Sequence, residues 1–250
     1  MSSNRTVIVG DVHGCRDELV ALLDRIGFTT GDRLVFVGDL IARGPDSLGV
    51  LDVARQTGAI VVRGNHEAKL IEWREAKREA AAEPVALGKM HLAIAESLRE
   101  VDWTLLETAP LSYDLPEHGI RVVHAGVLPG IAFDEQEPET LMRIRTVEAA
   151  WVKGRTRAKL RTIGRGTVRI PWGRLYVGPP HIVFGHNALG GLQVHPAATG
   201  LDTGCVYGGR LTAMVLGREE RVPRVRAERM RVLVDQPAAR VYFRGRRVVM

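Results

Sequence analysis

Gly10-Asp11-Val12-His13-Gly14 is the stretch on which the fold of this chain turns. It follows a short apolar run, Thr6-Val7-Ile8-Val9, that has the composition of a buried parallel strand. It precedes a helical pattern over residues 16–26 in which Leu19, Leu22, Leu23 and Ile26 share one face. A strand that ends in Asp-x-His and turns through glycine holds a carboxylate oxygen and an imidazole nitrogen together at the carboxyl edge of a sheet. Ligands bind at that edge in open α/β folds. One such turn is weak evidence, because Gly-Asp pairs are common where strands pass into helices. Recurrence makes it strong.

The same arrangement returns downstream. Arg33-Leu34-Val35-Phe36-Val37 reads as a second buried strand and ends in Gly38-Asp39. A helix is predicted over residues 45–56, with Pro45 at its start and Leu48, Leu51, Val53 and Ala54 as apolar positions. Ala59-Ile60-Val61-Val62 ends in Arg63-Gly64-Asn65-His66-Glu67. Three β-α steps of this kind predict a parallel, right-handed sheet with helices outside. Residues 67–107 are helical in pattern, interrupted at Pro84 and Gly88. They read equally as a lid beside the site and as a layer that buttresses the core. Strands resume at Ile120-Arg121-Val122-Val123, leading into His124-Ala125-Gly126, and at His181-Ile182-Val183-Phe184, leading into Gly185-His186. Residues 200–205 followed by 210–216 predict a closing β-hairpin.

A chain of 250 residues can build one substantial core, and a single domain is expected. No apolar run approaches the roughly 18 residues that span a bilayer, and Met1-Ser2-Ser3-Asn4-Arg5 lacks the apolar core of a signal peptide. Cys15 and Cys205 do not form a disulfide framework, so the expectation is a reducing, cytoplasmic setting without a membrane partner. A formal net charge of +6 predicts attraction for anions such as phosphorylated substrates, nucleotides or nucleic acid. Residues 143–174 concentrate that charge, with ten basic residues against Glu148 alone, and read as an irregular cationic insertion. The extension from 218 to 250 is Arg-rich with alternating apolar residues and reads as additional β-structure.

Five strands therefore end in metal-ligand residue types: Asp11 with His13, Asp39, Asn65 with His66, His124, and His186. Clustered imidazole and carboxylate ligands mark a metal site. The mixture of imidazole, carboxylate and amide oxygen suits Mn, Fe, Co or Zn better than Ca. The set is too large for one tetrahedral ion, which predicts two ions about 3.5–4 Å apart with a bridging carboxylate. Such a pair yields hydroxide from water near neutral pH and neutralises charge while phosphorus is attacked in line. The leaving oxygen then needs a proton, which His66 can give. The other phosphate oxygens need a cation, which Arg43 can supply as a planar fork.

In order and spacing, Gly-Asp-Val-His-Gly (10–14), Gly-Asp-Leu-Ile-Ala-Arg-Gly (38–44), Gly-Asn-His-Glu (64–67), His-Ala-Gly (124–126) and Gly-His (185–186) resemble the signature of the calcineurin-like metallophosphoesterases of the phosphoprotein phosphatase superfamily. The resemblance covers residues 7–216. It implies an αββα sandwich with a dinuclear centre at the sheet edge, holding two divalent transition-metal ions, Mn2+ before Co2+, Fe or Zn2+. Asp11, His13 and Asp39 would hold one ion; Asp39 as the bridge, Asn65, His124 and His186 would hold the other. His66 matches the general acid and Arg43 the first phosphate-binding arginine. Protein phosphatases of the family carry Asp where this chain has Ala42, and that Asp supports their general-acid histidine. The form Gly-Asp-Leu-Ile-Ala-Arg-Gly-Pro-Asp-Ser (38–47) is instead similar to the symmetrical diadenosine tetraphosphatase branch, as is Leu-Asp-Thr-Gly-Cys-Val-Tyr-Gly-Gly-Arg-Leu-Thr-Ala (201–213). Met142-Arg143-Ile144-Arg145 matches an arginine motif of that branch and makes Arg145, or else Arg143, the second phosphate clamp.

The resemblance implies cleavage of diadenosine tetraphosphate into two ADP, with a dinucleoside polyphosphate as the partner molecule. A nucleoside diphosphate is a far better leaving group than a serine alkoxide, so an unsupported His66 is a smaller loss there. Two alternatives stand beside this reading. One is a protein phosphatase or broad phosphomonoesterase, taking phosphoprotein, on the same site. The other is a nucleic-acid-binding module, against which the full ligand set argues. Cys15, Cys205, His91, His118, His181 and His195 lack motif context and are read as packing or surface residues, and Trp73, Trp103, Trp151 and Trp172 as packing.

Overall fold

The computed structural model describes residues 5–79, 86–152, 155–159 and 168–244. Its strands, in chain order, are β1 (Arg5–Val9), β2 (Arg33–Phe36), β3 (Ile60–Val61), β4 (Ser112–Leu115), β5 (Ile120–Val123), β6 (Thr146–Val152) and β7 (Arg155–Lys159). There follow β8 (Val168–Pro171), β9 (His181–Phe184), β10 (Gln193–Val194), β11 (Ala198–Gly200), β12 (Arg210–Gly217) and β13 (Leu233–Pro237). The helices are α1 (Arg16–Ile26), α2 (Ser47–Gln56), α3 (Asn65–Arg78), α4 (Lys89–Ser97), α5 (Glu100–Glu107), α6 (Pro138–Arg143) and α7 (Arg226–Arg231).

Two five-stranded sheets, ordered β13-β12-β1-β2-β3 and β10-β11-β9-β5-β4, lie against one another. The first contains the predicted parallel run, with Val7 opposite Leu34 and Ile8 opposite Val35 across β1 and β2, and Val35 opposite Ile60 across β2 and β3. Period-two alternation sorts its residues between two apolar layers. Val7, Val9, Leu34, Phe36 and Val61 face the layer under α1, α2, α3 and α5. Ile8, Val35, Val37 and Val62 meet Ile120, Val122 and Val183 of the second sheet. The opposite face of the second sheet, with Val123, Ile182 and Phe184, is closed by Leu141 of α6, Val147 of β6 and Trp172. This is the expected mixed α/β architecture with two stacked sheets.

Several elements differ from expectation. Helix α2 begins at Ser47 rather than Pro45, because the Asp46 side chain accepts the Gly49 N–H and caps it. Residues 200–216 make no hairpin. Residues 198–200 belong to the second sheet and β12 to the first, so the chain crosses between sheets through a 3-10 turn at Cys205–Tyr207. The described part of the basic insertion is not irregular: β6, β7 and β8 form a three-stranded antiparallel sheet. The extension contributes β13, which pairs with β12, but Arg240–Phe243 form no strand. Residues 153–154, 160–167 and 245–250 of these segments lie outside the described residues. Among the described residues no helix is long and apolar enough to cross a membrane.

Candidate metal centre

All five predicted strand ends meet at one edge. The β1 and β2 turns are joined by backbone bonds, His13 N to Asp39 O at 2.8 Å and Gly14 N to Leu40 O at 2.7 Å. The β5 and β9 turns are joined by Gly185 N to His124 O at 2.7 Å. The two sheets are linked here by Asp11, whose carboxylate accepts the His186 N–H at 3.0 Å. That contact explains Gly185, since a Cβ there would collide with Asp11 Oδ1. Among the described residues, the non-glycine positions with left-handed φ are His13, Asp39, Ala42, Arg43 and His186. Each such position costs roughly 1–3 kcal/mol, and all five border this edge.

Asp39 is the centre of the constellation. Its Oδ2 lies 3.6 Å from His13 Nε2 and 3.5 Å from His124 Nε2. His13 with Asp39 and His66, and Asp39 with His124 and His186, each place ligand atoms within 4.8 Å of one another. Both histidines flanking Asp39 are fixed from behind. His13 Nδ1 donates to the Ile41 carbonyl at 3.0 Å and His124 Nδ1 to the Val37 carbonyl at 2.9 Å. A carbonyl can only accept, so each Nδ1 carries a proton and each Nε2 is the atom turned to Asp39, the arrangement that leaves Nε2 to face a metal. Asn65 joins the group through Oδ1, 3.2 Å from His124 Nε2.

Glu67 organises the carboxylate's turn. Its Oε2 accepts the N–H of Asp39 at 2.8 Å and of Gly64 at 3.0 Å, and its Oε1 that of Leu40 at 2.9 Å. Burial, then the neighbouring Asp39, pushes the Glu67 carboxyl up to about 7. Burial also raises Asp39, but His124 and His66 more than offset it and hold it well below the usual carboxylate range. Asp11 is raised by burial and by Asp202. Burial lowers His13 to about 4, and burial followed by His124 and Arg145 lowers His186 to about 2. Burial would lower His124 as well, yet Asp39 lifts it to about 10.

The arginine alternatives separate. Arg145 Nη2 reaches the His186 carbonyl at 3.4 Å, whereas Arg143 pairs with Glu139 one helical turn back at 2.6 Å. Arg43 lies in the site with Nη1 2.6 Å from His13 Nε2. His66 stands edge-on to His13 with ring centroids 5.0 Å apart.

Three residues had not been assigned to the site. His91, read as packing or surface, is buried and comes from α4, its Nε2 2.8 Å from His66 Nδ1. The helical insertion therefore supplies a partner to the site as well as packing α3 and α5 on the core. Nothing in the spacing signalled it, because α4 reaches His66 through tertiary packing. Asp202 and Glu67 lie inside the quoted motifs, and their signal is a carboxylate two or three residues from a glycine. Asp202 accepts the Gly204 N–H and is raised to about 6 by burial. The packing readings hold for two further histidines, His118 bonding Thr6 and Glu220 and His181 bonding Thr199, whereas the Trp151 side chain lies outside the described residues. Cys15 and Cys205 are free and buried in the core. Trp172 donates to the Ala125 carbonyl at 3.1 Å and fills the space beside Gly126, fixing the loop that carries His124.

Residues 5–216 match the family described as calcineurin-like phosphoesterase. An asymmetrical bis(5'-nucleosyl)-tetraphosphatase PrpE of Bacillus subtilis (strain 168) is 34% identical over 227 residues, covering 82% of this chain and 88% of that protein. A symmetrical bis(5'-nucleosyl)-tetraphosphatase of Janthinobacterium sp. (strain Marseille) is 31% identical over 266 residues, covering 84% and 92%. A crystal structure described as a "putative diadenosine tetraphosphatase" superposes with a TM-score of 0.72 at 36% identity, covering 94% of each chain.

Proposed function

We propose that this chain, which belongs to the calcineurin-like phosphoesterase family, is a metal-dependent hydrolase of dinucleoside tetraphosphates. The observation that carries the reading is Asp39, one of whose oxygens lies between His13 and His124 at nearly equal distances. The donor set fits a pair of divalent cations: two imidazoles with fixed tautomers share one buried carboxylate, with a second carboxylate, an amide and a third imidazole around them. In this reading Asp11, His13 and Asp39 hold one ion, and Asp39, Asn65, His124 and His186 the other. Bound ions of this kind lower the pKa of water to supply a nucleophile and neutralise charge on the phosphate.

The chain's own residues do the rest. Arg43 and Arg145 border the donor set, beside His13 and His186 respectively, and bind the phosphate oxygens. His66, neutral in the free site because it is buried, takes up a proton beside the bound phosphate dianion and gives it to the leaving oxygen, and His91 orients its ring through Nδ1. Mn2+ remains our preferred metal, from the mixed nitrogen and oxygen donors.

The motifs at residues 38–47 and 201–213 favour symmetrical cleavage. Relatives of similar identity carry both names, and the slightly more identical one is named asymmetrical. We therefore place asymmetrical cleavage, to ATP and AMP, ahead of the symmetrical cut. A phosphomonoesterase activity is the second reading, favoured by the His66–His91 bond: a supported acid can serve a poor leaving group as well as a good one. The test is chromatography of products from diadenosine tetraphosphate, p-nitrophenyl phosphate and a phosphoserine peptide with Mn2+-loaded enzyme. ATP plus AMP from the dinucleotide, at a kcat/KM above those of the monoesters, is expected. Two ADP would restore the symmetrical cut, and a preference for the monoesters would favour the second reading.

A further inference from the structure

The Arg-rich extension has no part in the chemistry above, yet its described end runs to the catalytic edge. After β13 the chain folds back over the turn between β11 and β12. Ala238 N donates to the Gly209 carbonyl at 2.9 Å, and the N–H groups of Tyr242 and Phe243 converge on the Val206 carbonyl at 3.0 and 2.9 Å. A buried carboxylate on α1 fastens the segment: Glu18 Oε1 accepts the Ala239 N–H at 2.9 Å and the Tyr242 hydroxyl at 2.7 Å. The path delivers the Phe243 ring beside Tyr207, with centroids 6.2 Å apart and edge to face. The Arg43 guanidinium carbon lies 5.7 Å from the Tyr207 centroid and 6.0 Å from that of Phe243.

We propose that residues 238–243 form a strap whose Phe243, together with Tyr207, positions Arg43 for phosphate. Of the contacts that fix the Arg43 side chain, the hydrogen bond to His13 Nε2 uses the lone pair that a metal ligand must give to its cation. A guanidinium released from His13 keeps its two aromatic neighbours. Their faces attract a cation, and their bulk excludes rotamers that point away from the centre. The Arg43 backbone, at φ 69°, is already held in an unusual conformation, so the side chain is the part left to be directed. Phe243 is thus a positioning residue acting through Arg43.

This inference rests on the phosphoesterase reading, and a double-mutant cycle tests it: wild type, Phe243→Ala, Arg43→Ala and the double variant, each full length and Mn2+-loaded. Inorganic phosphate affinity is read by calorimetry, and KM and kcat with diadenosine tetraphosphate. Phe243→Ala should weaken phosphate and raise KM about 3- to 30-fold, the span of a cation–π contact, with a smaller change in kcat. In the Arg43→Ala background the same substitution should change phosphate affinity less than about twofold, because coupled residues are not additive. Phe243→Trp should restore affinity. Equal losses in both backgrounds, or loss of affinity in Phe243→Trp, would overturn the strap's role. Wild type that neither binds phosphate nor hydrolyses any phosphoester would contradict the phosphoesterase reading itself, and this inference with it.

Discussion

His66 meets another imidazole on its inner nitrogen, and this sets what the site can do. Burial lowers the His66 ring to about 3, and a neutral His91 partner supports a proton there less strongly than a carboxylate would. What His91 fixes is direction: one Nδ1–Nε2 bond holds the other His66 nitrogen towards the centre. His91→Ala should therefore lower kcat about tenfold for a phosphoserine peptide and much less for an activated aryl phosphate, since general-acid help scales with leaving-group basicity. A series of aryl phosphates, read as log kcat against leaving-group pKa, measures it. An unchanged slope would remove His91 from the acid's support. Position 42 departs from the protein-phosphatase pattern, and the side chain that meets His66 Nδ1 comes from 49 positions later, at His91. Ala42 was legible as a departure and His91 was not.

His124 gives a second prediction at this scale. Asp39 holds its proton up to about 10, although burial opposes it. A cation using Nε2 must displace that proton, so metal uptake releases protons and its affinity rises with pH below about 10. Calorimetric titration with Mn2+ in buffers of different ionisation enthalpy should show net proton release at pH 7. Uptake without release would mean that His124 is no ligand.

At the scale of elements, the centre depends on turns holding one another. Glu67, in the first turn of α3, ties the ends of β2 and β3 through three N–H groups. Glu67→Gln keeps the shape but aims an NH2 at backbone donors. It should cost about 1–3 kcal/mol for the donor left without an acceptor, measured by urea unfolding, and should weaken Mn2+ binding in parallel. Unchanged stability would mean that the turns hold without it. The strands of the parallel run were legible because apolar runs ending in Gly-Asp or Gly-Asn carry both their length and their limit. The false hairpin at residues 200–216 shows the boundary of that signal: two apolar runs around glycines say nothing about which sheet each joins. The basic insertion differs for a related reason, since alternating Arg155, Arg157 and Lys159 in β7 read as solvated coil until neighbouring strands pair.

At the scale of the whole molecule, two sheets bring residues separated by up to 175 positions into one centre, as the Asp11–His186 bond shows. The meeting of His13, Asp39, His124 and His186 was legible because ligand chemistry restricts residue types, whereas the strap at residues 238–243 was not, because backbone bonds to Val206 and Gly209, one carboxylate and aromatic rings hold it at long range. If this edge works as a metal-dependent hydrolase with Asp39 at its middle, its turnover must follow its metal content. The most direct measurement is turnover of diadenosine tetraphosphate by protein stripped of metal, titrated back with Mn2+, beside Asp39→Asn treated identically. Stripped protein should show no turnover, recovery should saturate near two ions per chain, and Asp39→Asn should show none despite an intact circular-dichroism spectrum. Full turnover with metal verified absent, or in Asp39→Asn, would contradict this reading of the edge.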